Sequence, residues 1–485
     1  MVSYVGGETL SLQRDPHPET TATNPLEGQV TWFDYAGKPS NNWEGTTKKP
    51  RFIARVLPNG QTEFLYFERT NSFAHPTREI STYTLANGTV GTRTNTYTYS
   101  TNEIDLLVVT NASGVRSMSN WFSGHLLRTN YNALNEMTVL NYTNHQLLSV
   151  TRPNGLITTN LYATNGWLAA RIDYTYPQGG SPSYYRTNAF TWEKALIKTH
   201  TDPRTLTRTF YWDGLRRLTG TSYPDGTTTS NRFVKLDGSG YYNGTGDTNL
   251  LDLTESVDRM GRKTRLTYNG LRQLTAATNT LGTNVVKYDW CLCDSIEKIT
   301  DALGQEIEFY YDQLGRMTNA VYYGGAYSFT NRYNLIGQLT NVIDPLGSVT
   351  NWYNNQGLLV AISNAVGRVK SVVYDLEDRP ASVTDANGTT VSHAYDNLGR
   401  LRNRTWPDNN TENWGYTTPT SYTNQLGGLY RTLFQYDPLE RKVAETNANN
   451  EVVRFAYRPA GDLATLTDGK NQVTTWNYDL YGRVT

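Results

Sequence analysis

Short stretches that favour β-strands alternate with polar turn sequences along most of this chain. Between the turns lie five or six residues rich in Thr, Val and Tyr, which is the length of a short strand. The turns share one design: residues 385–388 (DANG), 396–399 (DNLG) and 344–347 (DPLG) all begin with Asp and end with Gly, as type I turns prefer. The pattern predicts one β-hairpin per period, and no helical 3.6-residue periodicity accompanies it.

An aromatic residue, called the anchor below, precedes one turn of each hairpin. In the second half of the chain, successive anchors are 20 to 23 residues apart, which gives a period of about 21. The same register continues more loosely towards the N-terminus. By this count the anchors are Tyr99, Phe122, Tyr142, Tyr162, Phe190, Tyr211, Phe233, Tyr268, Tyr288, Tyr311, Tyr333, Tyr353, Tyr374, Tyr395, Tyr416, Tyr436, Tyr457 and Tyr478.

A period of one hairpin predicts how the whole chain is organised. A lone hairpin is barely stable in water, so each hairpin must pack against the next. About 34 strands would follow one another, and so many twisted strands cannot stay flat. We therefore expect an all-β fold in which residues 96–485 form a spiralling ribbon or hollow shell. Residues 1–95 are expected to be an irregular β-rich lead-in, and residues 176–185 and 237–249 to be extra loops.

The composition excludes some classes of function. The chain has 44 basic and 44 acidic residues, so it lacks the positive charge of a general nucleic-acid binder. No apolar stretch is long enough to span a membrane, and the first residues do not resemble a signal peptide. The chain stops within a repeat, so we expect it to be part of a longer protein.

The repeat resembles a known family. Units such as YDNLGRLRNRTWPDNN (395–410) and YDQLGRMTN (311–319) are similar to the YD repeat of Rhs proteins. The same repeat occurs in the C component of insecticidal toxin complexes, in wall-associated bacterial proteins and in teneurins. The resemblance covers roughly residues 99–485 and implies a hairpin ribbon that forms a hollow shell.

The resemblance also implies a function. In bacterial members the shell encloses a variable C-terminal toxin, and in teneurins it belongs to an extracellular adhesion protein. Bacterial cores end in a DPxGxxD segment, whereas DPLGSVTN (344–351) has Thr350 at the second Asp position. The resemblance therefore predicts a secreted or cell-surface shell segment whose toxin lies outside this chain. The alternative is an adhesion module that binds a glycan or a cell-surface protein.

Charged residues recur in each turn, and we interpret them as structural. The Asp that follows the anchor is predicted to accept backbone N–H bonds, because a catalytic or metal-binding carboxylate would not need a copy in every repeat. The Arg four residues later is predicted to bridge the turn, with a row that binds an acidic partner as the alternative. The aspartates are Asp312, Asp375, Asp396, Asp437 and Asp479, and the arginines are Arg316, Arg400, Arg441 and Arg483.

Other candidate groups give no active site. The anchor tyrosines are predicted to stack as a ladder between hairpins, with a sugar-binding platform as the alternative. Cys291 and Cys293 lack a second ligand pair for zinc, so we interpret them as a turn lengthened by two residues, with a disulfide left open. The histidines have no ligand spacing, and we predict no enzyme activity, cofactor or metal site. They are His17, His75, His125, His145, His200 and His393.

Overall fold

The computed structural model describes most of the chain. The described residues are 2–3, 9–16, 28–38, 45–57, 60–85, 87–176, 180–181, 183–233, 252–281, 283–418, 421–428, 430–479 and 481–485. The extra loop predicted at 237–249 lies outside them, as do residues 177–179 and 182 of the loop predicted at 176–185.

The described residues form 41 strands, and each strand pairs antiparallel with the next along the chain. A single short 3₁₀ turn, Tyr323–Gly325, is the one helical element among them. The strands are β1 (Val2–Ser3), β2 (Leu12–Arg14), β3 (Val30–Asp34), β4 (Phe52–Val56), β5 (Thr62–Glu68), β6 (Arg78–Thr84), β7 (Val90–Tyr99), β8 (Leu106–Thr110), β9 (Arg116–Ser123), β10 (Leu126–Asn132), β11 (Met137–Thr143), β12 (Gln146–Thr151), β13 (Ile157–Tyr162), β14 (Leu168–Thr175), β15 (Ser183–Glu193), β16 (Leu196–Thr201), β17 (Thr207–Trp212), β18 (Leu218–Ser222), β19 (Thr228–Arg232), β20 (Glu255–Val257), β21 (Lys263–Tyr268), β22 (Leu274–Thr278), β23 (Asn284–Trp290), β24 (Ile296–Asp301), β25 (Glu306–Tyr311), β26 (Met317–Tyr322), β27 (Tyr327–Tyr333), β28 (Leu339–Asp344), β29 (Gly347–Tyr353), β30 (Leu359–Asn364), β31 (Gly367–Tyr374), β32 (Pro380–Asp385), β33 (Thr390–Tyr395), β34 (Leu401–Thr405), β35 (Thr411–Thr418), β36 (Ser421–Leu426), β37 (Tyr430–Tyr436), β38 (Lys442–Thr446), β39 (Val452–Tyr457), β40 (Leu463–Thr467) and β41 (Val473–Thr475).

The all-β repeat fold that the sequence predicted is confirmed. Strands β7 to β41 number 35, close to the 34 expected from the period. Strands β1 to β6 belong to the same sheet, since they continue the antiparallel pairing up to β7.

Most hairpins contain a β-bulge beside their anchor. Tyr311 pairs with Met317 and Tyr310 pairs with Asn319, so Thr318 is the extra residue on the returning strand. The same shift recurs at most other anchors. Bulges increase the local twist of a strand pair. A twist repeated once per hairpin is what makes a long ribbon wind instead of staying flat.

The ribbon is a single layer with little enclosed core. Its accessible surface is 28606 Å² for 54.7 kDa, whereas a compact globular chain of that mass exposes about 18,000 Å². Seven apolar residues are buried among those described, and they are spread along the chain. Stability therefore comes from strand pairing and from contacts between neighbouring hairpins.

Three anchors differ from the sequence assignment. The anchors are Trp192, Trp212 and Trp290, where we had assigned Phe190, Tyr211 and Tyr288, because the bulge falls beside the tryptophan in each case. With Trp290 in place, the two intervals from Tyr268 to Tyr311 become 22 and 21 residues. The repeat is therefore more regular than the count of tyrosines indicated.

Candidate functional site

An Asp–Arg pair, called the clamp below, holds seven of the described turns, six of which directly follow an anchor. In the turn at 312–316, the Asp312 N–H donates to the Arg316 carbonyl at 3.0 Å, and the Gly315 N–H donates to the Asp312 carbonyl at 3.0 Å. Oδ1 of Asp312 accepts the N–H groups of Leu314 and Arg316. Oδ2 accepts Nε of Arg316 at 2.6 Å. Gly315 has φ of 73°, which suits glycine and closes a three-residue hairpin loop.

The clamp recurs, as the sequence predicted. The Arg Nε or guanidinium contacts the Asp four residues earlier at 2.6 to 2.8 Å in each case. The pairs are Asp213–Arg217, Asp258–Arg262, Asp312–Arg316, Asp375–Arg379, Asp396–Arg400, Asp437–Arg441 and Asp479–Arg483.

Some turns carry a neutral version of the clamp. Asn334 Oδ1 accepts the N–H of Gln338 at 3.0 Å, and Asn334 Nδ2 donates to Gln338 Oε1 at 2.7 Å. Asn269 and Gln273 repeat this arrangement. Because an amide pair can replace the ion pair, the recurring carboxylates serve to hydrogen-bond the turn. This supports the structural interpretation of the aspartates.

Most tyrosine and tryptophan anchors tie their hairpin to the preceding one. The Tyr395 hydroxyl donates to the Pro380 carbonyl at 2.9 Å, 15 residues earlier, and most other tyrosine anchors make the same bond. Trp212 Nε1 donates to the Ile197 carbonyl at 2.8 Å and Trp290 Nε1 to the Leu274 carbonyl at 2.8 Å. Tyrosine and tryptophan are thus interchangeable here, because each places a ring and a single donor at the same point.

The clamp arginine covers the next anchor, which the sequence did not reveal. The Arg316 guanidinium lies 4.8 Å from the centre of the Tyr333 ring, and Arg316 Nη1 donates to the Asn334 carbonyl at 3.1 Å. The same stacking joins Arg217 to Phe233, Arg379 to Tyr395, Arg400 to Tyr416 and Arg441 to Tyr457. The predicted role within one turn is confirmed, and the same side chain also connects two hairpins.

The predicted ladder of stacked tyrosines is replaced by this arrangement. Anchors of neighbouring hairpins are two strands apart, or about 10 Å, whereas aromatic pairs interact at about 4.5–7 Å between ring centres. The arginine fills that interval and contributes a cation–π contact in place of ring stacking.

Hydrogen bonding also shifts the acidity of the clamps. The backbone N–H and the guanidinium of Arg262 hold the pKa of the Asp258 carboxyl below its usual value. Arg483 lowers the pKa of Asp479 in the same way. Desolvation raises the pKa of Asp213, but the backbone and side-chain hydrogen bonds from Arg217 outweigh it and the net shift is downward. The lowered pKa values keep the carboxylates of Asp213, Asp258 and Asp479 ionised at neutral pH.

The ribbon returns onto itself along a line that we call the seam. Both Nη atoms of Arg93 donate to the Asp378 carboxylate at 2.8 Å, across a sequence separation of 285 residues. The Thr82 hydroxyl donates to Oδ1 of the buried Asn355 at 2.6 Å. The Asn355 N–H in turn donates to the Thr84 hydroxyl at 3.0 Å.

Further along, the seam joins turns to turns. Oε1 of Glu377 accepts the N–H and hydroxyl of Ser113 at 3.0 and 2.9 Å. Asn154 Nδ2 donates to the carbonyl of Pro438 at 3.0 Å. Turns that follow anchors in the later coil thus contact turns of the earlier coil that lie on the opposite edge of the ribbon.

The seam contains a second close ion pair. Arg204 Nη2 donates to Asp462 Oδ1 at 2.6 Å over 258 residues of sequence. This hydrogen bond raises the pKa of Arg204 above its usual value. One coil therefore takes about 260 to 285 residues, and successive coils are joined by polar and charged contacts. The sequence predicted the winding but could not identify these partners.

The cysteine pair occupies an ordinary clamp position. Cys291 and Cys293 form a disulfide in a turn closed by the Cys291 N–H to the Ser295 carbonyl at 3.0 Å. The Cys293 N–H points to Cys291 Sγ at 3.1 Å, as Leu314 N–H points to Asp312. The expected lengthening by two residues is wrong, because it came from taking Tyr288 instead of Trp290 as the anchor.

The histidines do not come together. His125 lies 3.1 Å from Asp105, and His200 stacks on Phe190 and contacts Asn188. His17 lies outside the described residues. Within the described part of the chain, no group of three His, Cys, Asp or Glu side chains is arranged to hold a metal ion. Nor is any helix there long and apolar enough to cross a membrane.

The clamped turns, the hydrogen bonds from the anchors to the preceding hairpin and the polar seam together define the class of protein. The chain is a tandem β-hairpin repeat protein with the fold of a YD shell.

Comparison with known proteins agrees with this fold. Residues 241–427 match the teneurin YD-shell family. Teneurin-3 of Mus musculus is 26% identical over 192 residues, which are 37% of this chain and 7% of Teneurin-3.

Solved structures extend the fold to nearly the whole chain. A Tc holotoxin pore of Photorhabdus luminescens aligns over 95% of this chain and 30% of its own, with a TM-score of 0.58 and 11% identity. TcdB2-TccC3 without its hypervariable C-terminal region gives a TM-score of 0.55 at the same identity and coverage. The resemblance to the Rhs/YD-repeat family is therefore confirmed. The chain spans only a small part of each of these relatives.

Proposed function

We propose that this chain is the wall of a shell that encloses a C-terminal effector lying outside the chain, in a secreted or cell-surface protein. The observation that carries the proposal is the single-layer sheet that winds through a full coil and joins itself along the seam. A single layer leaves both faces accessible, so its inner face can surround another polypeptide. A wall needs no catalytic residue, and we propose that this segment has no enzymatic activity of its own.

The polar seam suits enclosure. Ion pairs such as Arg93–Asp378 and Arg204–Asp462 hold the coils in register through directional bonds. A seam of this kind opens without exposing a large apolar surface. The wall can therefore release its contents by separation of coils while the strand pairing within each coil is preserved.

Limited proteolysis of the full-length gene product tests enclosure. We expect the segment beyond the wall to resist protease in the wild type and to become sensitive when Arg93→Ala and Arg204→Ala loosen the seam. Arg262→Ala, which changes an exposed clamp away from the seam, is the matched control and should leave protection intact. Equal cleavage of that segment in the folded wild type and in the seam variant contradicts the proposal.

Electron microscopy of the same protein gives an independent test. The proposal predicts a hollow particle with a wall one sheet thick. A filled globule or an open rod is incompatible with enclosure.

A further inference from the structure

A groove opens between two hairpins where the repeat loses its clamp. It lies between the turn at 193–196 and the end of β17, and its volume is about 600 Å³. Its lining includes Glu193, Lys198, Tyr211, Trp212 and Arg216. In clamped repeats the corresponding space holds an arginine over the next anchor ring.

The local sequence explains why the groove is open. The hairpin at 193–196 has a two-residue loop, Lys194 and Ala195, with φ of 50° and 64°. The residue at the clamp-arginine position is Leu196, which precedes Ile197, the strand partner of Trp192. Leucine is too short to reach the next anchor as arginine does, so the ring of Trp212 stays accessible.

The aromatic side chains in the groove are accessible and held in place. Trp212 remains 37% exposed although its Nε1 is fixed on the Ile197 carbonyl. Tyr211 is 51% exposed, and its hydroxyl lies 3.1 Å from the Ser222 hydroxyl. One repeat earlier, Trp167 stacks on Trp192 at 5.2 Å between ring centres. This second aromatic pair lies outside the groove lining.

Two acidic groups at the rim are paired with basic side chains, and Arg216 Nη2 donates to the Lys194 carbonyl at 3.4 Å. Lys198 contacts Glu193 at 3.1 Å, and Asp213 is held by Arg217 at 2.6 Å. The rim therefore offers hydrogen-bond donors and acceptors of both kinds without a large net charge. This lining does not favour a strongly anionic ligand or a purely apolar one.

We propose that this groove binds an uncharged oligosaccharide. The C–H face of a sugar ring packs on the electron-rich face of an aromatic ring, and its hydroxyl groups need both donors and acceptors at the rim. Rigid aromatic rings lose little conformational entropy on binding, which favours a preformed site. The site is distinct from the proposed enclosure, because it depends on the hairpin at 193–196 and not on the coil.

Binding is tested with the whole chain and defined probes. We would titrate cello-, chito- and malto-hexaose by saturation-transfer NMR and calorimetry. We expect saturable binding of at least one of them. Tyr211→Ala should weaken it at least tenfold, because it removes an exposed ring without touching an anchor. Tyr310→Ala is the matched control: it occupies the same repeat position, is 50% exposed and should bind like the wild type.

A second variant fills the groove. Leu196→Arg supplies the missing clamp side chain over Trp212 and should abolish binding while the β-sheet circular dichroism spectrum is retained. The proposal is overturned by absence of binding to all three probes, or by equal affinity of the wild type, Tyr211→Ala and Leu196→Arg proteins. Neither result affects the enclosure proposal, which is tested by protection of the downstream segment.

Discussion

The turns at 312–316 and 193–196 stand at the same place in the repeat and close their hairpins differently. At 312–316, Asp312 and Arg316 clamp a three-residue loop, and the arginine extends to the next anchor. At 193–196 a two-residue loop needs no clamp, and the next anchor is left accessible. The difference shows that the clamp has two roles, closing a turn and sealing the space between hairpins. At 193–196 both roles are absent.

Removing a well-packed clamp should have the largest effect. Arg316→Ala leaves Asp312 without its guanidinium and Tyr333 without its cover, and we expect a loss of about 2 kcal/mol in local stability. The Arg316 side chain is 16% exposed, whereas that of Arg262 is 79% exposed in its own clamp. Arg262→Ala should therefore cost less than about 0.5 kcal/mol. Hydrogen exchange of peptides spanning 306–333 and 255–268 measures both.

A double substitution separates charge from hydrogen bonding in the clamp. Asp312→Asn with Arg316→Gln recreates the pair found at Asn334 and Gln338. It should retain more of the local stability than Arg316→Ala does. If the double variant loses as much local stability as Arg316→Ala, the ion pair contributes more to the stability of the turn than the turn hydrogen bonds do.

The anchor hydroxyl should have a smaller effect. Tyr395→Phe removes the donor to the Pro380 carbonyl and leaves the ring beneath Arg379, so we expect a loss of about 1 kcal/mol. Tyr310→Phe removes a hydroxyl from the exposed Tyr310 and should have little effect. Urea unfolding of the two variants measures the difference. Equal unfolding midpoints would show that the anchor hydrogen bond does not contribute to stability.

The clamp ion pair should show a pH dependence. The pKa of Asp213 is depressed in the folded state, so its contribution is present above the unfolded pKa near 4 and is lost as pH falls below it. Asp213→Asn should destabilise by less than about 1 kcal/mol at pH 7. The difference from the wild type should shrink as pH falls below about 4, because Asp213 loses its charge as its folded-state pKa is passed. Urea midpoints measured across this range that keep a constant difference would contradict the assignment.

The smallest expected change is a gain in the unclamped turn. Ala195 adopts φ of 64°, a conformation that glycine accepts without the steric cost of a Cβ. Ala195→Gly should stabilise this hairpin by about 0.5 kcal/mol. The same change at Ala394, a strand residue before the anchor Tyr395, should destabilise. Thermal unfolding of both variants provides the measurement.

Much of this architecture was predictable because each repeat contains local signals. Asp and Gly at the turn ends set the hairpin length, and the anchor period set the number of strands. The anchors Trp192, Trp212 and Trp290 were missed because only tyrosine and phenylalanine were considered. The indole N–H makes the same hydrogen bond as the tyrosine hydroxyl. A search for any aromatic directly before a turn would have found them.

The residues that meet at the seam could not be predicted from the sequence, for a physical reason. Residues such as Arg93 and Asp378 meet only because the accumulated twist of some two dozen strands brings them together. No local spacing encodes that distance. The open groove was also missed, because it arises from the absence of an arginine at Leu196 and not from a motif.

The central claim is that the ribbon winds until residues about 260 to 285 apart in sequence meet. Ser113 and Glu377 are hydrogen-bonded at 2.9 Å, with strands β9 to β31 between them along the ribbon. Spin labels on Ser113→Cys and Glu377→Cys, in a Cys291→Ser, Cys293→Ser background, report this distance by pulsed electron paramagnetic resonance. The account predicts a narrow distribution below about 25 Å, which is a contact plus two label arms. An unwound ribbon would place the labels about 110 Å apart, beyond detection, and the absence of a short distance in the folded protein would contradict the coil.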